Sequence, residues 1–295
     1  MINVNRINKD YNFYINGPSY IGRPVSNTFM FATKKIGDQI INLKQIKNCL
    51  VFAEEGIEID NEFKKENCII MTKNPQLEYS KFALLYENER AKNNASRKYS
   101  EINGFICGEN VVIGKNTIIE PGCFIDHDVI IGDNCRILSK AIIRNTIIGD
   151  NVLVNENALV GSNGFNMTED ENGNKIRIPT LGKVIISNNC EIGAFDNISC
   201  GSGGNTFLDE FVKLDALVHI GHDAQLFKNV EITAGCVIGG FVEIYEGCYI
   251  GIHSVLRNRI TIGKKAFIGM GAVVTKSVED GITVVGNPAK PFERK

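Results

Sequence analysis

Histidine is the side chain whose ordinary pKa lies closest to neutral pH, and this chain of 295 residues has four. His222 has the setting most typical of a general base. Asp223 follows it directly, and a pair of glycines, Gly239 and Gly240, lies 18 residues further along. The alternative is a histidine on an exposed turn, and we favour that interpretation for the other three, His127, His219 and His253.

Zinc binding is the main competing chemistry, because histidines at subunit interfaces hold Zn²⁺ in some repeat proteins. His219 and His222 would have to share such a metal across a corner of the chain, which strains the site. We therefore predict no metal requirement. The sequence also has no glycine-rich phosphate loop, no Cys-x-x-Cys pair and no nucleophile elbow.

The elements that position His222 follow from a repeat of six residues. Read from Thr206, the third residue of twelve successive hexads is aliphatic, from Leu208 to Val274. The same period runs from Ile113 to Ile143, from Ile148 to Val160 and from Ile186 to Ile198. A period of six fits neither a helix nor a simple strand, but it fits a coil of three short flat faces with about 18 residues per turn.

In such a coil the aliphatic residue points inward, and the residue two positions before it must be small or β-branched. Five of the nine cysteines lie two residues before the aliphatic one: Cys123, Cys135, Cys190, Cys236 and Cys248. A free thiol packs well in a small apolar slot, so we expect no disulfides and a reducing, cytoplasmic location. A net charge of −2 predicts no nucleic-acid partner. The sequence has no run of 18 apolar residues, so we expect no membrane span.

The chain divides into three predicted regions. Residues 1–100 lack the repeat and contain apolar runs, Cys49–Ala53 and Cys68–Met71, that are typical of buried strands of a small α/β domain. Residues 101–280 form the β-helix, from which a polar loop, 161–183, projects. Residues 281–295 are expected to be a C-terminal tail.

Three segments resemble one family, the UDP-3-O-acylglucosamine N-acyltransferases of lipid A synthesis. They are Lys73-Asn74-Pro75, the loop that begins Gly161-Ser162-Asn163-Gly164-Phe165, and the segment from Val212-Lys213-Leu214-Asp215 to His222. The resemblance to hexapeptide-repeat proteins implies a mainly β fold, a left-handed parallel β-helix with a small N-terminal α/β domain.

This resemblance also implies roles for individual residues. His222 is the general base, Asp215 orients it or the substrate, and the backbone N–H of Gly240 stabilises the oxyanion. The spacing independently places Gly240 and Asn258 one and two coils beyond His222 on the same edge. His219 and Asn258 are expected to contact the substrate.

In the N-terminal domain, the family stacks an aromatic pair on the uracil base. Phe29 matches one member of the pair, and the alternative is that Phe29 is a core residue of the domain. Lys35 stands where the second aromatic residue is expected, so Lys35 is expected to meet the diphosphate instead. A second histidine of the family is replaced by Arg259 and an asparagine by Ala216.

The C-terminal repeats resemble those of acetyl-CoA-dependent hexapeptide transferases rather than the helical extension of the lipid A family. Gly269, Gly271 and Ala272 would let a pantetheine arm lie close to the backbone. We therefore expect a homotrimer that transfers a short acyl group from acyl-CoA, acetyl-CoA above all, to the amine of a nucleotide-linked amino sugar. The alternatives are a lipid A type enzyme that uses acyl carrier protein and a non-catalytic hexapeptide-repeat binding protein.

Overall fold

The structure is a computed structural model that describes residues 1–292, apart from the side chains of residues 38 and 45. The chain folds into two compact units. The first contains residues 1–96, 165–182 and 202–204, and the second contains residues 97–164, 183–201 and 205–295. Most of the predicted loop 161–183, namely residues 165–182, belongs to the first unit.

The second unit is a parallel β-helix whose short strands form three sheets, called faces 1, 2 and 3 here. Face 1 contains Ser100–Ile102, Phe105–Cys107, Phe124–Ile125, Ile142–Ile143, Leu159–Ser162, Asn197–Ser199, His219–Ile220, Val237–Ile238, Val255–Leu256 and Val273–Val274. Face 2 contains Val112–Ile113, Ile130–Ile131, Thr146–Ile148, Val184–Ile186, Thr206–Leu208, Gln225–Leu226, Glu243–Ile244 and Thr261–Ile262. Face 3 contains Ile118–Ile119, Arg136–Ile137, Leu153–Val154, Glu191–Ile192, Lys213–Leu214, Glu231–Ile232, Tyr249–Ile250, Phe267–Ile268, Thr283–Val285 and Lys290–Pro291.

Register follows the predicted coil of 18 residues. On face 1, His219 pairs with Val237, Val237 with Val255 and Val255 with Val273. The aliphatic residues of the repeat pack inside as one continuous core, and the five predicted cysteines are buried among them as free thiols. Ile113 is an exception at 38% exposed, because it lies on the edge strand of face 2 and has a coil on only one side.

Most corners of the β-helix have a residue with positive φ, and asparagine occupies many of these positions, as at Asn116, Asn134 and Asn229. Asparagine tolerates this left-handed region better than most residues. The corner that leads from face 1 to face 2, called corner 1, differs. Its later coils place Asp223, Phe241 and Arg259 there, at φ 60°, 60° and 63°.

The predicted tail does not leave the β-helix at residue 281. Thr283–Val285 pairs in parallel with the strand Phe267–Ile268, and Val284 is buried in the core. Lys290–Pro291 then returns antiparallel. The coil continues because valines extend the apolar stack beyond the last full hexad; residues 293–295 of the predicted tail lie outside the described residues.

The first unit is a small α/β fold, as predicted. Its parallel sheet contains Gly17–Pro18, Thr28–Ala32, Leu50–Glu54 and Cys68–Thr72, and a separate antiparallel pair joins Ile2–Asn3 to Tyr14–Ile15. The α-helices are Asn61–Glu66 and Pro75–Asn94, the 3-10 segments are Val4–Arg6 and Lys34–Gln45, and the hairpin of the loop pairs Met167–Glu169 with Lys175–Arg177. Within residues 1–292, no helix is long and apolar enough to cross a membrane.

Candidate functional site

His222 lies at corner 1, directly after the face 1 strand His219–Ile220, and its side chain is only 13% exposed. Its Nδ1 lies 2.9 Å from Oδ2 of Asp223, whose side chain is 2% exposed. The backbone N–H of Asp223 donates to Oγ1 of Thr206 at 2.9 Å. An ionised carboxylate only accepts hydrogen bonds, so Nδ1 carries the proton and Nε2 is left as the acceptor.

Gly240 lies against the Nε2 side of the His222 ring. A Cβ atom added to Gly240 would lie 2.9 Å from Nε2 and 3.0 Å from Cε1, so the ring occupies the space that any side chain would need. Within residues 1–292, the N–H of Gly240 donates to no acceptor. A proton-accepting nitrogen and an unused N–H donor therefore lie at the same corner, which is the combination that base-assisted attack on a carbonyl requires.

Corner 1 stacks the residues that the 18-residue spacing placed together. The N–H of Phe241 donates to the carbonyl of His222 at 2.9 Å, and the N–H of Arg259 donates to the carbonyl of Gly240 at 3.0 Å. Asn258 is thus exposed on the same edge, two coils beyond His222. Its contact with a substrate stays a prediction.

Asp215 does not have the orienting role that the resemblance implied, since Asp223 makes that contact with His222. Asp215 lies at the corner before the strand His219–Ile220, and its Oδ1 accepts from the N–H of Ala216 at 2.8 Å. A contact between Asp215 and the substrate stays a prediction. His219 is half-buried on face 1, and burial, followed by the charge of His222, lowers the pKa of His219.

A buried carboxylate, Asp196, lies at the same kind of corner as Asp215, one coil earlier. Its oxygens accept from the N–H of Gly193 at 2.7 Å and from the N–H of Val218 at 2.8 Å. Burial raises the pKa of Asp196 to about 7 in spite of these hydrogen bonds, and the charge of Asp215 adds to the increase. The sequence reasoning missed this residue because its position in the repeat usually holds a small apolar side chain.

Two further residues of corner 1 also escaped prediction. The Phe241 ring meets the His222 ring edge-on, with centres 5.2 Å apart at 87°. The guanidinium carbon of Arg259 lies 4.2 Å from the centre of the Phe241 ring. A feature of the sequence could have found them. Residues 18 apart occupy the same corner in successive coils, and at this corner Asp223, Phe241 and Arg259 stand in place of asparagine.

Phe29 cannot stack on a nucleotide base in this structure, so that prediction is wrong. Phe29 is 0% exposed and packs against Phe82, Tyr79 and Tyr86 of the helix Pro75–Asn94, with ring centres 4.8 to 5.8 Å apart. It is the core residue of the alternative interpretation. Lys35 is exposed in the 3-10 segment of the same unit, and its role toward a diphosphate stays a prediction.

The small residues of the C-terminal coils are of two kinds: some are packed against neighbouring atoms, and one faces open space. A Cβ atom on Gly269 would lie 2.7 Å from Cγ1 of Val285, so that glycine makes room for the next coil. Ala272 is 0% exposed, which contradicts its predicted contact with pantetheine because its methyl group fills the core. Gly271, at φ +66°, has nothing within 4 Å of an added Cβ atom, and its contact with pantetheine stays a prediction.

Among the described residues, no group of three or more histidine, cysteine, aspartate or glutamate side chains is arranged to hold a metal ion. The pair His219 and His222 therefore lacks a third ligand from the described part of its own chain.

The repeat and the fold are similar to those of known acyltransferases. Residues 110–145 match the family model "Bacterial transferase hexapeptide (six repeats)". A stretch of 119 residues, 40% of the chain, is 35% identical to the UDP-3-O-acylglucosamine N-acyltransferase of Caulobacter sp. (strain K31). A stretch of 128 residues, 43% of the chain, is 30% identical to UDP-3-O-acylglucosamine N-acyltransferase 2 of Rhodopseudomonas palustris (strain BisB18). These matches span 35% and 34% of the two relatives' own lengths.

Solved structures of UDP-N-acetylglucosamine acyltransferases are similar in fold. The Francisella novicida enzyme is 25% identical, with a TM-score of 0.59 over 65% of this chain and 69% of its own. The Bacteroides fragilis enzyme is 21% identical, with a TM-score of 0.58 over 65% of this chain and 74% of its own. Together with the repeat, these similarities identify the second unit as a left-handed parallel β-helix of hexapeptide repeats.

Proposed function

We propose that this hexapeptide-repeat chain is an acyltransferase that joins an acyl group from a thioester to the amine of a nucleotide-linked amino sugar. The observation that carries the proposal is the geometry of corner 1. His222 is oriented by buried Asp223, and its second ring nitrogen, Nε2, faces the side-chain-free backbone of Gly240.

The proposed reaction uses each of these groups once. Nε2 of His222 accepts a proton from the amine as its nitrogen attacks the thioester carbonyl. The oxygen of the tetrahedral intermediate accepts a hydrogen bond from the N–H of Gly240. When the carbon–sulfur bond breaks, the imidazolium returns the proton to the departing thiolate, so the products are an amide and a free thiol.

The acceptor class is supported by the relatives, which are named for acyl transfer to UDP-linked sugars. For the donor we favour an acyl-CoA, with acetyl-CoA first. Open space over Gly271 agrees with an extended pantetheine arm. The second candidate is a UDP-3-O-acylglucosamine N-acyltransferase that uses acyl carrier protein, because both curated relatives carry that name.

A row of valines on face 1 bears on the length of the acyl group. Beyond His219, the outward residues of the next three strands are Val237, Val255 and Val273, in direct register. Val237 and Val255 are 41% and 38% exposed. A short acyl group would contact only Val237, whereas a long chain would extend over all three valines.

The test is release of free thiol in two parallel assays. One contains acetyl-CoA with a panel of UDP- and dTDP-linked amino sugars, and the other contains acyl carrier protein loaded with a long acyl chain and UDP-3-O-acylglucosamine. Turnover in either assay that is lost in His222→Ala supports acyl transfer and identifies the donor. Turnover only with the carrier protein would replace the acyl-CoA proposal by the second candidate. Absence of turnover in both assays would favour a binding protein.

A further inference from the structure

The side chains of Phe241 and Arg259 form a stack beside His222 at two positions with positive φ. For residues with a bulky side chain, the left-handed region is uncommon and costs conformational energy. Bulky residues also occupy it at other corners of this β-helix, among them Phe195, Phe211 and Leu217. At corner 1, the Phe241 ring contacts both the His222 ring and the guanidinium group of Arg259.

The stack fixes where the charge of Arg259 lies. The 5.2 Å step from His222 to Phe241 and the 4.2 Å step from Phe241 to the guanidinium carbon keep that carbon within about 9.4 Å of the centre of the His222 ring. A guanidinium on an aromatic face is held by a cation–π interaction and keeps its planar set of donors directed outward.

The charge of Arg259 is also available for binding. Among residues 1–292, no carboxylate lies within ion-pair distance of Arg259. By contrast, Lys228 and Lys264, at the corner between faces 2 and 3, pair with Glu210 and Glu246 at 2.9 and 3.0 Å.

Two more cations lie exposed at corner 1. They are Arg257, beside Asn258, and Lys276, one coil further along, and neither pairs with a carboxylate in the described part of the chain. The edge of the β-helix beyond His222 is therefore positively charged. The whole chain has a net charge of −2, so this positive charge is local to corner 1.

We infer that Arg259, positioned by Phe241, binds a phosphate group of a substrate whose reacting atoms lie at His222. The inference rests on the proposed function for the position of the reaction. Guanidinium groups bind phosphate oxygens through paired, charge-assisted hydrogen bonds. The phosphate has two sources in the proposed reaction, the diphosphate of the nucleotide sugar and the phosphates of CoA.

The test is a binding titration of the full-length protein with inorganic pyrophosphate, UDP and CoA. Arg259→Gln should weaken pyrophosphate binding by about 10-fold to 100-fold, which corresponds to loss of a charge-assisted hydrogen bond. Arg136→Gln is the matched control, because Arg136 is an exposed arginine on face 3. It should leave all three affinities unchanged.

The nucleotides identify the source of the phosphate. A loss for UDP alone assigns Arg259 to the acceptor, a loss for CoA alone assigns it to the donor, and a loss for both shows one phosphate site for which they compete. Wild-type protein that binds none of the three probes, or a folded Arg259→Gln protein that binds them like wild type, overturns the inference. These titrations need no turnover, so a failure of the proposed acyl transfer would be seen separately.

Phe241 is a positioning residue in this scheme. Phe241→Leu should weaken the same probe as Arg259→Gln, by a smaller factor, and Phe241→Tyr should restore its affinity because a tyrosine ring keeps the cation–π contact. If leucine and tyrosine at this position bind the probes equally well, the stack does not position Arg259.

Discussion

Nδ1 of His222 lies 2.9 Å from Oδ2 of Asp223, the next residue along the chain. Adjacent residues seldom direct their side chains at each other, but here the positive φ of Asp223 turns its carboxylate back toward the ring. Since Asp223 is buried and hydrogen-bonded through its own N–H, the carboxylate holds the imidazole in one orientation.

His222→Ala should lower kcat by about 10²- to 10⁴-fold, the usual contribution of a positioned base. Asp223→Asn should also lower kcat with little change in KM, because an amide at that position no longer stabilises the imidazolium. His253→Ala, a change of an exposed corner histidine, is the control, and near-normal turnover of folded His222→Ala would refute the base assignment.

Gly240→Ala tests the contact between the base and the backbone. The new Cβ atom would lie 2.9 Å from Nε2 of His222, so the ring must move away from the position where it accepts the proton. We expect kcat to fall by about 10-fold or more while the melting temperature changes little. Gly17→Ala is the control, because its methyl group has open space and the position has no positive φ. Unchanged kcat in Gly240→Ala would show that the ring has another productive position.

Asp196 predicts a pH dependence of stability. Its pKa rises from 3.8 in the unfolded chain to about 7, so the folded protein binds more protons between these values. The free energy of unfolding should therefore fall as pH rises from about 4 to about 7 and then level off. At about 1.4 kcal/mol per pKa unit, the loss is at most about 4 kcal/mol.

Asp196→Asn should remove this decline, although one of the two N–H groups then loses its acceptor. Denaturant unfolding of both proteins at several pH values between 4 and 8 measures the difference. If the free energies of unfolding of the two proteins change with pH in parallel, Asp196 does not titrate in this range.

Phe29→Ala should destabilise the protein by about 3–5 kcal/mol, as expected for a large side chain removed from a packed core. Phe165, 80% exposed, is the matched control, and Phe165→Ala should change the free energy of unfolding by less than about 0.5 kcal/mol. A selective increase in KM for the nucleotide sugar in a stable Phe29→Ala protein would restore the stacking role.

The exposed apolar residues of faces 1 and 2 predict a homotrimer. Ile106, 37% exposed, lies on face 1, and Val112 and Ile130, 55% and 39% exposed, lie on face 2 in the same first coils. A contact between two different faces of identical chains closes into a ring when the rotation permits. Light scattering should give about three times 32.6 kDa. A monomer at working concentration would contradict the prediction.

The sequence alone determined the β-helix and the composition of corner 1. A period of six residues favours an arrangement in which the third residue of each hexad faces the core, and that arrangement brings residues 18 apart into adjacent coils. The proximity of His222, Gly240 and Asn258 follows from this spacing. Even the slots of Cys236 and Cys248 follow, because the repeat specifies small residues there.

Only the tertiary structure decided which side chains touch. Asp215 and Asp223 both lie near His222 in the sequence. The left-handed backbone of Asp223, at φ 60°, directs its carboxylate at the His222 ring, so Asp223 makes the contact and Asp215 does not. Phe29 lies in a strand whose residues are nearly all apolar, so its pattern does not tell which side the helix Pro75–Asn94 covers. Contacts such as that of Phe29 with Phe82 depend on packing between elements far apart in the chain, which a local repeat does not encode.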